Sequence, residues 1–356
     1  MDFKKMKEFY NGKRVFLTGH TGFKGSWMSV MLQLLGAEVY GYSLTPNTDP
    51  DLFGILGLSD EIHSVIGDVR DLDALEKDYV EADPDVVFHL AAQPIVRDSY
   101  KDPRYTYETN VMGTVNILEC LRKHPGAISF LNVTTDKVYE NNDLENHGFK
   151  EDEKLDGYDP YSNSKSCSEL VTHSYKKSFF SDAEALAIST ARAGNVIGGG
   201  DFANDRIVPD CVRATVKGES IIVRNPYSTR PYQHVLEPLA AYLMIAMEQA
   251  GDKKYADYYN IGPRDEDCIN TGDLADFFVK YWGEPANWKN MAEANAPHEA
   301  SFLKLDCAKA RETFGWEPVW HVEDAIRETV AWYKAWNDGE NMKEFTRDQI
   351  RKFMGI

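Results

Sequence analysis

The sequence predicts an α/β protein with a Rossmann-type, doubly wound parallel sheet and a smaller C-terminal α/β domain. Short apolar segments alternate with helical patterns through the first half of the chain, and a glycine-rich loop separates the first strand from the first helix. Strands that are apolar on both faces and separated by helices are typical of a parallel sheet that helices cover on both sides.

The predicted strands cover Arg14–Thr18, Glu38–Ser43, His63–Ile66, Val86–Leu90, Ile128–Val133 and Ala185–Ala191. The predicted helices cover about Ser26–Leu35, Leu72–Tyr79, Pro103–Arg122 and Pro160–Ser178. Apolar side chains recur there at helical spacing. After Gly194 glycines cluster and the alternation becomes irregular, so we assign 1–194 to the first domain and 195–356 to the second. The apolar segment 257–262 is expected to return a strand to the first domain.

The composition is that of a globular protein with a large core. The chain has 356 residues, of which 43% are hydrophobic, which suits one large or two ordinary domains. Its 39 basic and 57 acidic side chains give a net charge of −18. A protein this acidic is a poor ligand for nucleic acids and anionic membranes, so we expect neither as a partner. An anionic small ligand remains compatible, because it responds to the charges of its own pocket.

Five scattered cysteines form no Cys-x-x-Cys pair. Their odd number and wide spacing indicate reduced thiols, and we therefore expect a cytoplasmic protein. The first residues show no apolar segment of a signal peptide, and no stretch approaches the roughly 18 apolar residues of a membrane span. No His, Cys and Asp residues have the spacing of zinc ligands, so no metal is predicted.

The glycine-rich loop has a GxxGxxG spacing. Because glycine lacks a Cβ atom, the backbone can turn tightly and approach a pyrophosphate, and the helix that follows offers free N–H groups and a partial positive charge. The loop therefore predicts a dinucleotide site. Its residues in that site are Gly19, Gly22, Phe23, Lys24 and Gly25.

The residues at the ends of the second and third strands are expected to contact the adenosine half of such a dinucleotide. The second strand ends in Gly41-Tyr42-Ser43-Leu44, without the acid typical of NAD enzymes and without an arginine for a 2′-phosphate. Sequence reasoning from this strand leaves NAD and NADP open. Asp68, which is followed by Val69, closes the third strand and is well placed to accept a hydrogen bond from the adenine amino group.

Tyr161 and Lys165 lie four residues apart and therefore on one face of a predicted helix. An ammonium group near a phenol stabilises the phenolate, which can then act as a general base near neutral pH. Such a pair is common by chance, but it becomes specific when a dinucleotide loop precedes it in the same chain.

With these features the chain resembles the extended short-chain dehydrogenase/reductase superfamily. The resemblance rests on the TGHTGFKG loop, on Asp68, on the segment His89–Ala92 and on the Tyr161/Lys165 pair. It implies a Rossmann-type first domain that binds NAD and a smaller second domain, 195–356, that binds a nucleotide-sugar substrate. Lys165 would also bind the nicotinamide ribose. It adds five residues to the cofactor site: Leu90, Ala91, Ala92, Thr109 and Thr134.

The segment Thr134–Lys137 resembles the Thr-Asp-Glu motif of nucleotide-sugar 4,6-dehydratases. Lys137 stands where the dTDP-glucose enzymes have Glu, a replacement associated with the CDP-glucose 4,6-dehydratases. The segments Arg192–Asp201, Arg206–Asp210 and Arg230–Leu239 resemble the same subgroup.

This resemblance implies oxidation of CDP-glucose at C4 by bound NAD⁺, elimination of water across C5 and C6, and return of the hydride to C6. The product would be CDP-4-keto-6-deoxy-D-glucose. Tyr161 would deprotonate the C4 hydroxyl, which Thr135 orients. Lys137 would remove the C5 proton, and Asp136 would protonate the departing C6 hydroxyl. These roles require a neutral Lys137 and a protonated Asp136, and an ion pair between the two would oppose both states.

Five residues are expected to bind the substrate. Arg230 is the first candidate for the pyrophosphate, because arginine can bind it in a bidentate manner, and Asn195 and Arg206 come next. Gln93 is expected to reach the sugar, and His298 the nucleotide. We also expect a homodimer or a tetramer.

Other functions are compatible with the same motifs. A nucleotide-sugar 4-epimerase or reductase would use Tyr161 and Lys165 but would need no acid–base pair at Asp136 and Lys137. Another dehydratase of this fold would differ in the nucleotide base. A non-catalytic cofactor sensor would be expected to have lost Tyr161 or Lys165, and this chain keeps both.

Overall fold

The computed structural model describes residues 1–142, 147–182, 185–291 and 303–356. The strands within these residues are β1 (Arg14–Thr18), β2 (Glu38–Ser43), β3 (His63–Ile66), β4 (Val86–His89), β5 (Ser129–Thr135), β6 (Ala187–Ala193), β7 (Val196–Ile197), β8 (Ile221–Val223), β9 (Thr229–Arg230), β10 (Gln233–His234), β11 (Tyr258–Ile261), β12 (Ile269–Asn270) and β13 (Trp288–Asn290).

The α-helices of the same residues are α1 (Phe3–Tyr10), α2 (Phe23–Leu34), α3 (Leu52–Leu56), α4 (Leu72–Ala82), α5 (Val96–Lys101), α6 (Pro103–Tyr107), α7 (Gly113–Lys123), α8 (Pro160–Phe179), α9 (Ile207–Val216), α10 (Leu236–Gly251), α11 (Thr271–Trp282), α12 (Ala308–Phe314), α13 (Val322–Asn337) and α14 (Met342–Met354). A π-helical segment, Glu108–Met112, joins α6 to α7. None of the described helices is both long and apolar enough to span a membrane.

Seven strands form one parallel sheet in the order β3-β2-β1-β4-β5-β6-β11. The chain runs outward from β1 to β3 and then crosses back to β4, so the order reverses between β1 and β4. In sheets of this kind the crevice outside the carboxyl ends at the reversal is where ligands bind. The predicted doubly wound α/β fold is confirmed.

Both faces of the sheet are buried along its central strands, whereas the edge strand β3 is mostly exposed. On β1, Val15 and Leu17 belong to an apolar cluster with Trp27 of α2, whereas Phe16 belongs to a second cluster with Tyr79 of α4. Successive side chains of a strand point to opposite faces, so an uninterrupted apolar strand supplies two cores at once. This explains why the strands appear in the sequence as continuous apolar runs.

The chain beyond residue 194 forms short strand pairs: β7 with β10, β8 with β13 and β9 with β12. The strand β11 leaves this region and pairs in parallel with β6, so that Tyr258 lies opposite Thr190. A strand from the segment 257–262 therefore joins the first sheet. The division into domains at residue 194 stays a prediction.

Two predicted elements differ from the structure. The helix predicted over 103–122 is interrupted by the π-helical segment Glu108–Met112, in which an extra residue is accommodated within the turn. The helix predicted from Ser26 begins instead at Phe23, because Gly22 acts as its N-cap and Gly25 is part of the helix. π-Helical turns are frequent at functional sites, and both differences fall beside the predicted site.

Gly199 lies against the buried indole of Trp332, where an added Cβ atom would lie 2.0 Å from Trp332 Cγ. We expect Gly199→Ala to reduce the free energy of unfolding by about 1–3 kcal/mol, because the packed ring cannot move away without strain. Urea denaturation measures the change. Gly251→Ala, where a Cβ atom meets nothing within 4 Å, is the control and should leave the stability unchanged or slightly raised. Equal stabilities of the two variants would contradict this account of the packing.

Candidate active site

A cavity of about 2310 Å³ lies at the carboxyl ends of the parallel strands. All residues predicted to bind the cofactor, to act in catalysis or to bind the substrate line it, wherever they fall in the described part of the chain. His298 lies outside the described residues. The cavity therefore brings together segments that are far apart along the chain, from Gly19 to Arg230.

The glycine-rich loop forms one wall of this cavity, and its backbone leaves no room for a side chain at Gly19 or Gly25. Gly19 has a φ of +80°, and a Cβ atom on it would lie 2.7 Å from the backbone nitrogen of Ala91. A Cβ atom on Gly25 would lie 2.1 Å from the carbonyl oxygen of Gly19. Gly22 caps α2 without any side-chain hydrogen bond, so the helix N-terminus offers its N–H groups to an anion. The loop thus fits a pyrophosphate.

Asp68 lies at the opposite end of the cavity from Tyr161, among the strand ends β2 and β3. Its carboxylate accepts hydrogen bonds from the guanidinium of Arg70, with Nη2 at 2.6 Å from Oδ2, and this contact lowers the pKa of the carboxyl group. Arg70 also stacks on the ring of Tyr105, 4.7 Å from its centroid. Asp68 therefore has a fixed orientation, and its hydrogen bond to adenine stays a prediction.

The strand β5 ends in a 3₁₀ turn that carries the predicted acid and base. Thr135 Oγ1 donates to Asp136 Oδ1 at 2.9 Å and accepts from the backbone N–H of Lys137. Asp136 is only 1% exposed, and its Oδ2 has no hydrogen-bond partner among the described residues. No ion pair joins Asp136 to Lys137 in this part of the structure. A Cβ atom on Gly194 would lie 2.6 Å from Asp136 Oδ2, so this position requires glycine.

Helix α8 presents Tyr161 and Lys165 to this turn. The helix begins after Asp159, whose side chain accepts the N–H of Ser162, and Pro160 occupies its first position. Lys165 Nζ donates to the carbonyl oxygen of Val133 at 3.0 Å, which places the ammonium under the end of β5.

Burial governs the protonation of both side chains. It raises the pKa of Tyr161 to about 12, against a hydrogen bond from Thr135 that lowers it. It lowers the pKa of Lys165 to about 8. Burial is the largest cause of the raised pKa of Tyr161, and the lowering of this pKa by Lys165 stays a prediction.

Lys24 and Arg206 add positive charge to the same end of the cavity. The ammonium of Lys24 lies 6.0 Å from the ring centroid of Tyr242. Burial, together with the nearby charges of Arg206 and Lys165, lowers the pKa of Lys24 to about 8. Arg206 forms an ion pair of 2.7 Å with Asp201. This end of the cavity is therefore suited to an anionic ligand.

The other residues predicted to bind the substrate already form hydrogen bonds within the protein. Gln93 accepts the N–H of Ile95 at 2.6 Å and donates to Thr106 Oγ1 at 2.9 Å, so its amide mainly holds its own loop. Arg230 Nη1 donates to the carbonyl oxygen of Thr229. Asn195 contributes its backbone oxygen to the pairing of β7 with β10. Their roles toward a substrate stay predictions.

Sequence reasoning missed several residues that hold the site in place. Asn110, in the π-helical segment, exchanges hydrogen bonds of 2.8 and 3.1 Å with the backbone of Gln93 and donates to Ser164 Oγ at 2.9 Å. Nothing in the pattern around Asn110 indicated this. Glu169 and Arg192 form a buried ion pair below Lys165. Extending the spacing of Tyr161 and Lys165 by one more helical turn would have found Glu169.

A glycine-rich loop at the reversal of a parallel sheet, with a Tyr-Lys pair facing a Thr-Asp-Lys turn, defines a dinucleotide-binding enzyme of the short-chain dehydrogenase/reductase type. The family model described as GDP-mannose 4,6 dehydratase matches residues 16–329. The chain belongs to this family, within the extended short-chain dehydrogenase/reductase superfamily.

Individual relatives agree with that assignment. A protein of Salmonella typhimurium named CDP-glucose 4,6-dehydratase is 46% identical over 353 residues, which are 98% of each chain. Among solved structures, a UDP-glucose 4-epimerase of Thermotoga maritima with UDP-glucose has a TM-score of 0.77 at 23% identity, covering 90% of this chain and 99% of its own. A dTDP-glucose 4,6-dehydratase of Bacillus anthracis in complex with NAD has a TM-score of 0.74 at 22% identity, covering 93% and 99%. The two structures show the same fold.

Removal of the Asn110 side chain should loosen the wall of the cavity. Asn110→Ala leaves the backbone N–H and carbonyl groups of Gln93 buried without these partners, and we expect it to cost about 1–3 kcal/mol of unfolding free energy. Urea denaturation is again the measurement. Asn287→Ala, which removes an exposed amide bonded to the carbonyl of Pro285, is the matched control and should be nearly neutral. An unchanged stability for Asn110→Ala would show that the π-helical segment does not support Gln93.

Proposed function

We propose that this protein catalyses the dehydration of CDP-glucose to CDP-4-keto-6-deoxy-D-glucose, with NAD as its cofactor. The observation that carries the proposal is the Thr135–Lys137 turn facing Tyr161 in one cavity, because it combines a base for the C4 hydroxyl with an acid and a base for C6 and C5. The relative named CDP-glucose 4,6-dehydratase, which matches 98% of each chain, supports the choice of substrate.

The residues of the cavity fit NAD. Gly19 and Gly25 form a cradle that a Cβ atom would fill, and the hydroxyl of Thr109 is buried in the cavity without a partner among the described residues. These groups, with Asp68 and Lys165, would hold the dinucleotide along the strand ends. When bound, NAD would supply the hydride acceptor for C4 and the hydride donor for C6.

Tyr161 is the base for the C4 hydroxyl. Its phenolate is opposed by burial, so it depends on the groups that stabilise negative charge: the hydrogen bond from Thr135 and the positive charge of Arg206 both lower the pKa of Tyr161. Thr135 also holds Asp136 through a bond of 2.9 Å, and because its hydroxyl has a single proton, it can donate to only one of the two groups at a time.

In the elimination of water, Lys137 acts as the base and Asp136 as the acid. A ketone at C4 makes the C5 proton acidic, and Lys137, which lines the cavity, removes that proton. Asp136 uses Oδ1 to accept from Thr135, which leaves Oδ2 to protonate the departing C6 hydroxyl.

We also propose that the protein works in the cytoplasm as a homodimer. Met112, at the end of the π-helical segment before α7, and Leu170 and Phe179, on α8, are exposed apolar side chains that a second subunit would cover. The five cysteines are free thiols, as a reducing compartment requires.

The reaction and the nucleotide base can be tested together. When the protein is mixed with NAD⁺ and CDP-glucose, we expect mass spectrometry to show the loss of one water from the sugar nucleotide. UDP-glucose and dTDP-glucose are parallel controls and should react much more slowly. Water loss from another nucleotide alone would contradict the base assignment, and formation of the C4 epimer would favour the epimerase.

Lys137→Met should separate catalysis from binding. The variant keeps the length of the side chain but has no basic group, so we expect kcat to fall by about 10²–10⁴-fold while the affinity for CDP-glucose changes only a few-fold. Turnover and isothermal titration measure the two effects. Lys217→Met, at an exposed lysine that lines the outer part of the same cavity, is the control for loss of a positive charge. Equal turnover of both variants would remove Lys137 from the mechanism.

A further inference from the structure

Glu169 and Arg192 form an ion pair that the proposed chemistry does not use. Glu169 follows Lys165 by four residues on α8 and is 1% exposed, and Arg192 on β6 is 2% exposed. Arg192 binds the carboxylate in a bidentate manner, with Nε at 3.0 Å from Oε1 and Nη2 at 3.0 Å from Oε2. A charge pair this deeply buried stabilises a fold poorly compared with apolar residues, so another reason for its presence should be sought.

Two threonines complete the surroundings of the carboxylate. Thr134 Oγ1, at the end of β5, donates to Glu169 Oε1, and Thr190 Oγ1, on β6, donates to Oε2 at 2.6 Å. Each oxygen therefore accepts two hydrogen bonds, which is close to the full capacity of a carboxylate. Glu169 is thus a fixed negative charge at the junction of α8, β5 and β6.

The same ion pair holds both ends of the turn that carries Thr135, Asp136 and Lys137. Thr134, immediately before this turn, donates to Glu169, and Tyr139, immediately after it, accepts from Arg192 Nη1 at 2.7 Å. A shift of the pair would therefore move both flanks of the turn. Sub-ångström placement of such a turn matters, because misplacement of reacting groups by about 1 Å can cost a hundredfold in rate.

Glu169 also acts on the charge of Lys165. Burial lowers the pKa of Lys165 to about 8, and the negative charge of Glu169 raises it. The other titratable groups facing Lys165 do not help: His89 is buried and neutral, because burial lowers its pKa to about 3, and Lys24 is itself a cation.

We propose that Glu169 and Arg192 are a positioning pair for the reaction, which fixes the Thr135–Val138 turn and keeps the ammonium of Lys165 charged beside Tyr161. The inference rests on the proposed dehydration, because the charge of Lys165 matters where a phenolate must form. Neither residue touches the cavity, so both act through Lys165 and the turn.

The pH dependence of kcat tests the pair. Lys165 loses its charge as the pH rises through its pKa, so activity should fall on the alkaline side. Glu169→Gln keeps the shape but removes the negative charge, and we expect the alkaline limb to move down by about one pH unit. Glu151→Gln is the matched control: this half-buried carboxylate accepts the N–H of Asn260, and the backbone carbonyl oxygen of Glu151 accepts from the same Arg192. Its alkaline limb should stay at the wild-type position.

Loss of one charge from a buried pair can prevent folding, because Arg192 would remain uncompensated. The double variant Glu169→Gln/Arg192→Met removes both charges and should fold with the same displaced limb, whereas Glu169→Asp, which keeps the charge, should retain the wild-type limb. A folded variant without the carboxylate whose alkaline limb is unchanged would overturn the inference. A wild-type protein that does not dehydrate CDP-glucose would instead overturn the proposed function.

Discussion

Helix α8 carries a phenol, an ammonium and a carboxylate one turn apart into a region from which water is almost excluded. Burial there raises the pKa of Tyr161 to about 12 and lowers that of Lys165 to about 8, so it favours the neutral form of each. Every charge that the chemistry needs must therefore be stabilised by a partner within the protein. Thr135 and Arg206 do this for the phenolate, and Glu169 does it for the ammonium.

The position of the cavity follows from the topology of the sheet. Because the strand order reverses between β1 and β4, the loops after these strands diverge and leave room for a ligand. The glycine-rich loop follows β1, and the turn that carries Thr135, Asp136 and Lys137 follows β5, two strands away. A dinucleotide that binds across the crevice would reach from Asp68 to Tyr161, which is where a sugar held by the second part of the chain would meet it.

The central sheet could be predicted because the strands alternate with helical patterns and because burial on both faces makes the centres of β1 and β4 uninterrupted apolar runs. The glycine-rich loop and the Tyr161/Lys165 pair could also be recognised in the sequence, because each consists of residues that are close together in the chain. The π-helical segment could not be recognised, because the local sequence does not distinguish Asn110 from other helical residues. Its role depends on the contact with Gln93, which only the fold creates. The bond between Arg192 and Glu169 depends likewise on the pairing of distant elements.

Protonation is the other property that the sequence leaves open. The spacing of Tyr161 and Lys165 predicts that the lysine lowers the pKa of the phenol, whereas burial, which is a property of the folded chain, raises that pKa. The sequence also could not show that the side-chain amide of Gln93 already forms hydrogen bonds with Ile95 and Thr106. The spacing of residues in the sequence shows which side chains can contact each other. Their protonation and their free hydrogen-bonding groups depend on the burial and the neighbours that the fold gives them.

The central claim is that one cavity oxidises C4 and reduces C6 of the same sugar. It can be tested by incubating the protein and NAD⁺ with CDP-glucose that carries deuterium at C4, and by locating the label in the product with NMR. The account predicts a singly deuterated methyl group at C6, because the hydride leaves C4 and returns within the same closed site. Deuterium that stays at C4, or that is lost to solvent while water is eliminated, would contradict it.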